Sequence, residues 1–560
     1  MNNNLMQSMW RFLIENVSGC LPNFQPSCTS PCAAATSEPG DMISDGHGRE
    51  QTPAMTNKHA ACDMEVPSAF LCPITYEMFR DPVVVIASGQ TYERGAILRH
   101  FRSSEIEPCS SERVGDKTVI ENWALRRSMQ EWLDANPDKT PGGWERRELP
   151  PPGFAVSLDA TDMTALNDIR QHCSLTRTWQ KNHGPGKWPG VYIEARRVVH
   201  LALSDHDIGS LPESIGNLAS LETMDLDGNQ LLWLPESIGQ LSMLQNLNLD
   251  RNELTCLPMS IGNLNKLRVL DLDHNRLTCL PDSISNLTML ENLDVDSNEL
   301  TWLPESIGNL ARLQNLNLDH NAIVCLPECI GNLAVLRNLN LDHNLLACLP
   351  ESIGNLAVLQ NLNLNHNVLR CLPETIVNLT ALRGLRLDGN RLTHLPESIG
   401  NLTMLETLYL DANELTCLPR SIGELAALNQ LHLDGNRLTC LPDSVGQLTA
   451  LKRLAVCSNQ LDRLPDYIQG LRSLMSLCLC QNKLTCLPDS LGSLTSLHEL
   501  HLPHNYLTSI PSSLGNLSSL KELNLSDNML THIPYFLKSL TSLEKLNVLN
   551  NDLKSGPASD

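Results

Sequence analysis

The chain has 560 residues, and 41 Lys+Arg against 63 Asp+Glu leave a formal net charge of −22. That balance speaks against nucleic acid as a partner, since phosphate contacts need clustered Lys and Arg, and against attraction to an anionic membrane. No run of ~18 apolar residues occurs, so no transmembrane helix is expected. The start, Met1-Asn2-Asn3-Asn4-Leu5, lacks the basic residues of a secretory signal. Nineteen cysteines spread along so long a chain are not the compact framework of a small secreted domain. The compartment is read as reducing, hence cytoplasmic, with the nucleus as the alternative.

In chain order, residues 1–66 are rich in Ser, Pro, Ala, Asn and Gly and hold no sustained period. Such a segment buries too little apolar surface to offset chain entropy and is expected to be disordered; a short amphipathic helix over 6–17 (Met6, Trp10, Leu13) is the one local alternative. Residues 67–136 predict a small α+β domain. The β-branched run Val83 to Ile86 reads as a strand, turned at Ser88-Gly89. Thr91 reads as a cap before a helix carrying Ile97, Leu98 and Phe101. A second helix from about Asn122 places Leu125, Met129, Trp132 and Leu133 on one face and stops at Asn136-Pro137. Two loops remain, around Pro73-Ile74 and around Pro108.

The ordered motifs Cys72-Pro73-Ile74, Asp81-Pro82-Val83, Gly89-x-Thr91-Tyr92-Glu93-Arg94, Pro108, Thr118-Val119-Ile120-Glu121-Asn122 and Leu125-Arg126 resemble the U-box, the zinc-free relative of the RING domain. Cysteine arithmetic agrees independently. A cross-braced RING needs about eight Cys/His ligands, and this segment offers Cys72, His100 and Cys109. The resemblance implies ubiquitin ligase activity with no nucleophile, metal or cofactor in the module. It would dock a ubiquitin-charged conjugating enzyme (E2) and position its thioester for attack by a substrate lysine. Carried over by position, Ile74 and Pro108 would form the apolar docking groove, flanked by Tyr76 and Phe79. The chain departs from the family at Ser111, where a basic residue is common, at His100, where Trp is common, and at Glu121, where Pro is common.

Residues 137–155, with Pro137, Pro141, Gly142, Gly143 and Pro150-Pro151-Pro152-Gly153, read as a linker. Residues 156–200 read as an N-terminal cap, with a short helix around 164–169, then Trp179 and Trp188. The first strand follows at Val198 to Leu203.

From Asn229 onward asparagine recurs every 23 residues through Asn551, with proline in step. Each unit reads roughly L-x-x-L-x-L-x-x-N-x-L-x-x-L-P-x-S-I-G-x-L, and His206 holds the Asn position of one further unit, which gives 16 coils over 201–551 and a tail over 552–560. This wording resembles the leucine-rich repeat, whose units are stable only when stacked. The fold class expected is therefore a small α+β U-box followed by an α/β horseshoe with a parallel inner sheet. Leu247 and Leu249 share the strand face that enters the core. Asn252 ends the strand and is suited to bond backbone groups the turn leaves unpaired. Pro258 stops regular strand, and Ser260 to Leu264 returns along the convex side.

Three side-chain columns follow from this frame. Two positions before each Asn stand Asp227, Asp250, Asp273, Asp296, Asp319, Asp342, Asn365, Asp388, Asp411 and Asp434. Neighbours ~4.8 Å apart would repel by roughly 0.9 kcal/mol in water. A basic protein face could meet this column as substrate; recent duplication with solvated charges is the alternative. His320, His343 and His366 stand beside it, as metal ligands or, in the plainer reading, as solvated repeat residues. Four positions after the Asn stand Cys256, Cys279, Cys325, Cys348, Cys371, Cys417, Cys440 and Cys486, expected to be small, partly buried apolar residues rather than redox sensors. No phosphate loop, kinase signature or HExxH helix occurs. The leading functional reading is an E3 ligase whose U-box recruits the charged E2 and whose solenoid selects a protein substrate, with a U-box-mediated dimer also compatible. A non-enzymatic scaffold or a GTPase-signalling adaptor is the alternative.

Overall fold

The computed structural model describes residues 158–554 except 182, and within the N-terminal part residues 71–72, 78–79, 82–85, 91–93, 96–97, 119–121, 129–130, 132–133 and 141. The N-terminal segment, most of the linker, the turn at Ser88-Gly89, and Leu98, Phe101 and Leu125 lie outside the described residues. The chain divides into two compact units, Met1–Leu149 and Pro150–Asp560.

In the first unit β1 (Pro82–Val85) is the central strand of an antiparallel sheet with β2 (Thr91–Glu93) and β3 (Val119–Glu121) at its sides. Val83 pairs with Tyr92 in one ladder, and Val84 with Ile120 in the other. The core beneath is Cys72, Phe79, Val83, Val85, Tyr92, Ala96, Ile97 and Met129, with Met78 and Trp132 packed against it. Thr91 is a strand residue paired with Val84, not a helix cap; among the described residues, the helical ones that follow are Ala96 and Ile97. A β-branched residue beside an aromatic fits a half-buried strand, and pairing to β1 outweighs a local cap. Cys72 is buried and its sulfur accepts the backbone N–H of Glu93 at 3.2 Å. The thiol thus ties the segment before the first loop to β2 by packing and a hydrogen bond.

The second unit opens with α1 (Ala160–His172), capped by Asp159, whose side chain accepts the N–H of Thr161. A hairpin of β4 (Val191–Glu194) and β5 (Arg197–Ala202) follows. Trp179 and Trp188 stack at 5.0 Å, and their indole N–H groups donate to the carbonyls of Pro189 and of Gln180 and His183. Asp162, fully buried on α1, accepts the N–H of Val198 at 2.8 Å and pairs with Arg197. It thereby clamps the helix to the first strand of the solenoid. Gly190 has φ +78, and a Cβ there would lie 1.8 Å from the carbonyl oxygen of Ala202, so only glycine lets the hairpin close.

From β5 onward every strand is parallel to its neighbours, through β6 (Thr223–Asp225) and β7 (Asn246–Asn248) to β20 (Lys545–Asn547), each three residues long after β5. The register is strict: residue i faces i+23, as Leu247 faces Leu270. Identical register repeats because the apolar positions repeat, and a one-residue slip would turn every leucine outward. The convex side is built from 3₁₀ turns such as Met259–Asn263, entered through Pro258. A Cβ on Gly262 would lie 2.3 Å from the carbonyl oxygen of Ser283 in the next coil. Glycine here sets how closely the coils stack.

Asparagine holds each coil to the next. In the coil of Asn344, Nδ2 donates to the carbonyls of Leu318, Leu341 and Asp342, while Oδ1 accepts the N–H of Ile323 at 3.0 Å. The same set recurs at Asn252, Asn275 and Asn298. The residue before each Asn turns through the left-handed region: Arg251 (φ 50), His274 (φ 48), His343 (φ 45), and also Gly228, Gly389 and Gly435. That turn aims the Asn inward. The lost alternative hydrogen bonds of buried groups set the cost of removing the amide, ~1–3 kcal/mol for each stranded partner. Asn344→Ala is therefore expected to destabilise the solenoid by about 2–4 kcal/mol, read as a lower urea midpoint; a shift under about 0.5 kcal/mol would contradict the ladder's role.

Candidate functional sites

In the U-box, Ile74, Tyr76 and Pro108 lie outside the described residues. Phe79 is described, and at 2% exposed it is part of the core. It follows Met78, whose backbone bridges to Leu71 across the first loop, so its side chain anchors the base of that loop.

The inner face of the solenoid is built by strand residues on either side of the buried leucine. From β9 (Asn292–Asp294) to β12 (Asn361–Asn363) one row is an amide ladder. Asn315 donates to Asn292, Asn338 to Asn315 and Asn361 to Asn338, at 2.5–2.7 Å. The next row holds Asp225, Asn248, Asp271, Asp294, Asn317, Asn340 and Asn363, then changes to Arg386, Tyr409 and His432. The Arg386 guanidinium lies 5.5 Å from the Tyr409 ring, which packs on His432 at 4.6 Å. The face thus changes from acidic and amide-rich to cationic and aromatic.

The Asp column lies at the C-terminal edge of this face, half-buried, and its backbone has two modes. In the earlier coils the column N–H is capped within its own coil: Asp250 by Asn248, Asp273 by Asp271, Asp296 by Asp294. Where Arg386, Tyr409, His432 and Ala455 replace the short acceptor, the cap comes from the preceding coil. The N–H of Asp388 then donates to Asn365, that of Asp411 to Asp388, that of Asp434 to Asp411 and that of Cys457 to Asp434. Part of the column is thus held by backbone capping. Several members also meet a basic side chain: Arg251 pairs with Asp227, and the ring nitrogens of His274, His320 and His343 sit 2.8–2.9 Å from Asp273, Asp319 and Asp342. His366 reaches the same Asp342 at 2.9 Å. The rings of His320, His343 and His366 are exposed and stacked at 4.2 and 4.1 Å.

Burial pushes the Asp271 carboxyl up to about 7, with the nearby Asp294 adding to it. Burial and Asp296 push Asp273 up to about 6. Burial also raises Asp250, Asp294 and Asp388, and lifts Asp434 to about 6. Asp342 is lowered by its His366 and His343 partners, against its burial.

The cysteine column differs from expectation. Cys256, Cys325, Cys348, Cys371, Cys417, Cys440 and Cys486 are exposed, and Cys279 is half-buried. The position lies between two inward leucines on the short segment before proline, and points outward, as Trp233 (54% exposed) and Trp302 (47%) do in other coils. A different thiol group escaped the sequence reading: Cys457, Cys478 and Cys480 converge on the inner face. Their register, 23 residues between Cys457 and Cys480 and two between Cys478 and Cys480, was the available signal.

A ladder of short parallel strands closed by buried asparagines defines a leucine-rich repeat solenoid. The leucine-rich repeat region model matches in overlapping segments from residue 196 to 559, and the chain belongs to that family. It also carries a U-box domain, matched over residues 66–138. A leucine-rich repeat protein of Leptospira interrogans is 39% identical with a TM-score of 0.59, over 63% of this chain and 91% of that one. U-box domain-containing protein 36 of Arabidopsis thaliana is 42% identical over 15% of this chain and 19% of its own length. E3 ubiquitin-protein ligase CHIP of the same plant is 38% identical over 12% of this chain and 25% of its own. The match thus spans a quarter or less of these two relatives. Among the described residues, no helix is long and apolar enough to cross a membrane.

The raised carboxyls give a pH signature. Asp271 has a folded pKa near 7 against 3.8 for the ordinary group. Its ionisation is thus harder in the folded protein, so its contribution favours folding at acid pH and is lost as pH rises from about 4 through 7. Asp271→Asn keeps the acceptor for the Asp273 N–H. It is expected to gain on the order of 1–2 kcal/mol relative to the parent between pH 5 and pH 8, after discount for the half-open groove. Paired denaturation curves at the two pH values check this, and a pH-independent difference would contradict it.

Proposed function

We propose that the chain is an E3 ubiquitin ligase that positions ubiquitin without carrying it. The single observation that supports this most strongly is the U-box match over residues 66–138, on a module whose described core packs Cys72 as a buried thiol. Relatives that share this module are named E3 ubiquitin-protein ligases. In this reading Ile74 and Pro108, at the tips of two loops, dock the ubiquitin-charged E2, with Tyr76 beside them and Phe79 anchoring the first loop from within the core. The module supplies no nucleophile. It restrains the thioester in a conformer that a substrate lysine can attack, which is catalysis by orientation.

The solenoid would recruit the protein substrate along its inner face. The acidic and amide-rich stretch carrying Asp227, Asp250, Asp273, Asp296, Asp319 and Asp342 suits a basic segment. Asp388, Asp411 and Asp434 extend the charge beside Arg386 and Tyr409, where an aromatic or acidic side chain would fit. Nineteen linker residues would span roughly 25 Å as a random coil, enough for one bound substrate to present more than one lysine.

Reconstitution with activating enzyme, a panel of conjugating enzymes, ubiquitin and ATP tests the ligase reading. Self-ubiquitination is expected with at least one E2, and Ile74→Ala or Pro108→Ala should cut it ~30-fold, the size of effect of losing one apolar anchor. Silence across a broad E2 panel would instead leave the U-box as a non-catalytic module. For substrate recruitment, replacing Asp273, Asp296, Asp319 and Asp342 together by Asn is expected to weaken capture of Lys/Arg-rich peptides at least ~10-fold at low salt. Unchanged capture would remove the inner-face charge from the account.

A further inference from the structure

Near the C-terminal end of the acidic column the repeat changes its chemistry. Cys457 and Cys480 stand where the earlier coils place Asp388, Asp411 and Asp434, and Cys478 stands in the neighbouring row, where His432 is found two coils before. The three sulfurs lie within 4.8 Å of one another, all half-buried. Two adjacent coils supply them: Cys457 lies two residues past one strand, Arg453–Ala455, and Cys478 ends the next, Ser476–Cys478. The backbone fixes the arrangement. The N–H of Cys480 donates to the sulfur of Cys457 at 3.2 Å, and the N–H of Cys457 donates to Asp434 at 2.5 Å. Sulfur therefore takes over the capping role that carboxylate holds in the three coils before it.

We propose that Cys457, Cys478 and Cys480 form a three-thiolate site for a thiophilic divalent cation of the zinc type on the inner face of the solenoid. Thiolate selects such ions over the hard cations that the upstream carboxylates would favour. Zn–S bonds of about 2.3 Å in tetrahedral geometry put ligand sulfurs about 3.8 Å apart, so separations up to 4.8 Å need side-chain contraction of about an ångström or less and no change of backbone register. Three protein ligands leave a fourth position for solvent or a further donor, as in open zinc sites. His501 is the strand partner of Cys478 on the far side, and Asp434 caps Cys457 on the near side.

The groups around the cluster fit proton release on binding. The three sulfurs lie within 4.8 Å of one another, so a cation entering between them would displace their protons. Asp434, raised by burial, also faces the cluster. Loading is then M²⁺ plus three thiols giving a tris-thiolate complex and three protons, with no redox partner required. The metal would add a cross-link between two coils already joined by backbone, asparagine, leucine packing and the Ser458–Gln481 hydrogen bond.

Full-length protein, reduced and metal-free under anaerobic conditions, is titrated with cobalt(II) as the spectroscopic probe and then with zinc. One equivalent per chain is expected to develop sulfur-to-cobalt charge transfer and the intense visible bands of tetrahedral thiolate cobalt, all displaced by zinc. The variant Cys457→Ser/Cys478→Ser/Cys480→Ser should lose this equivalent and bind zinc at least ~100-fold more weakly. Cys256→Ser, in the exposed column, should retain it. The Asn ladder is intact in all of these variants, and matching urea midpoints without metal verify their folding. Equal cobalt spectra in parent and triple variant, or no tetrahedral bands in the parent, would overturn the proposal. So would an intact mass 2 Da low with the missing hydrogens mapped to a bond between two of these cysteines, since a disulfide would then be the native state.

Discussion

The structure rests on the buried asparagine side chain, which satisfies backbone groups of two successive coils at once. A coil of 23 residues has one three-residue strand and one 3₁₀ turn, too little to fold alone. Leucine supplies the burial, but burial is non-directional and would tolerate sliding. Four hydrogen bonds from one amide, reaching residues 26 and 21 positions before it, are directional and fix the rise from coil to coil. Everything on the inner face inherits that spacing. Side chains at equivalent positions must meet as columns, whether amide, carboxylate, imidazole or thiol.

Columns turn sequence repetition into local chemistry. Like carboxylates brought into line repel, and the structure answers in different ways along its length. Some take up protons near neutrality, as Asp271 and Asp273 do. Others gain a neighbouring cation, as Asp227 does from Arg251, or accept a backbone N–H, as Asp388, Asp411 and Asp434 do. Between Asp250 and Asp296 no carboxylate caps a backbone N–H of the next coil, and relief comes from side chains instead, with Arg251 3.5 Å from Asp250 and His274 2.8 Å from Asp273.

Much of the solenoid was legible in the sequence because its chemistry repeats in step with its geometry. The Asn ladder, the inward leucines, the proline at the 3₁₀ entry and the parallel register all followed from one unit. What was missed depends on relations between units. The amide ladder from Asn292 to Asn361 and the thiol trio need residues of different coils to be read side by side. The outward Cys column was misjudged because a small residue between leucines looks buried until the turn before proline is traced. In the U-box, Thr91 carried both a cap and a strand signal, and the tertiary partner Val84 decided between them. The burial of Phe79 could not be told from its motif, where an aromatic beside a binding loop reads equally as wall or as foundation.

The two capping modes of the Asp column give the solenoid a polarity along its axis. Where Asn248 caps Asp250, the cap stays within one coil. Between Asn365 and Cys480 each side chain instead supports the coil after it. Damage at Asp388 would strand the amide of Asp411 downstream and leave its upstream neighbour untouched. Substitutions in this stretch are thus coupled head to tail, like dominoes that fall one way only, and the thiol cluster stands at the receiving end of the row.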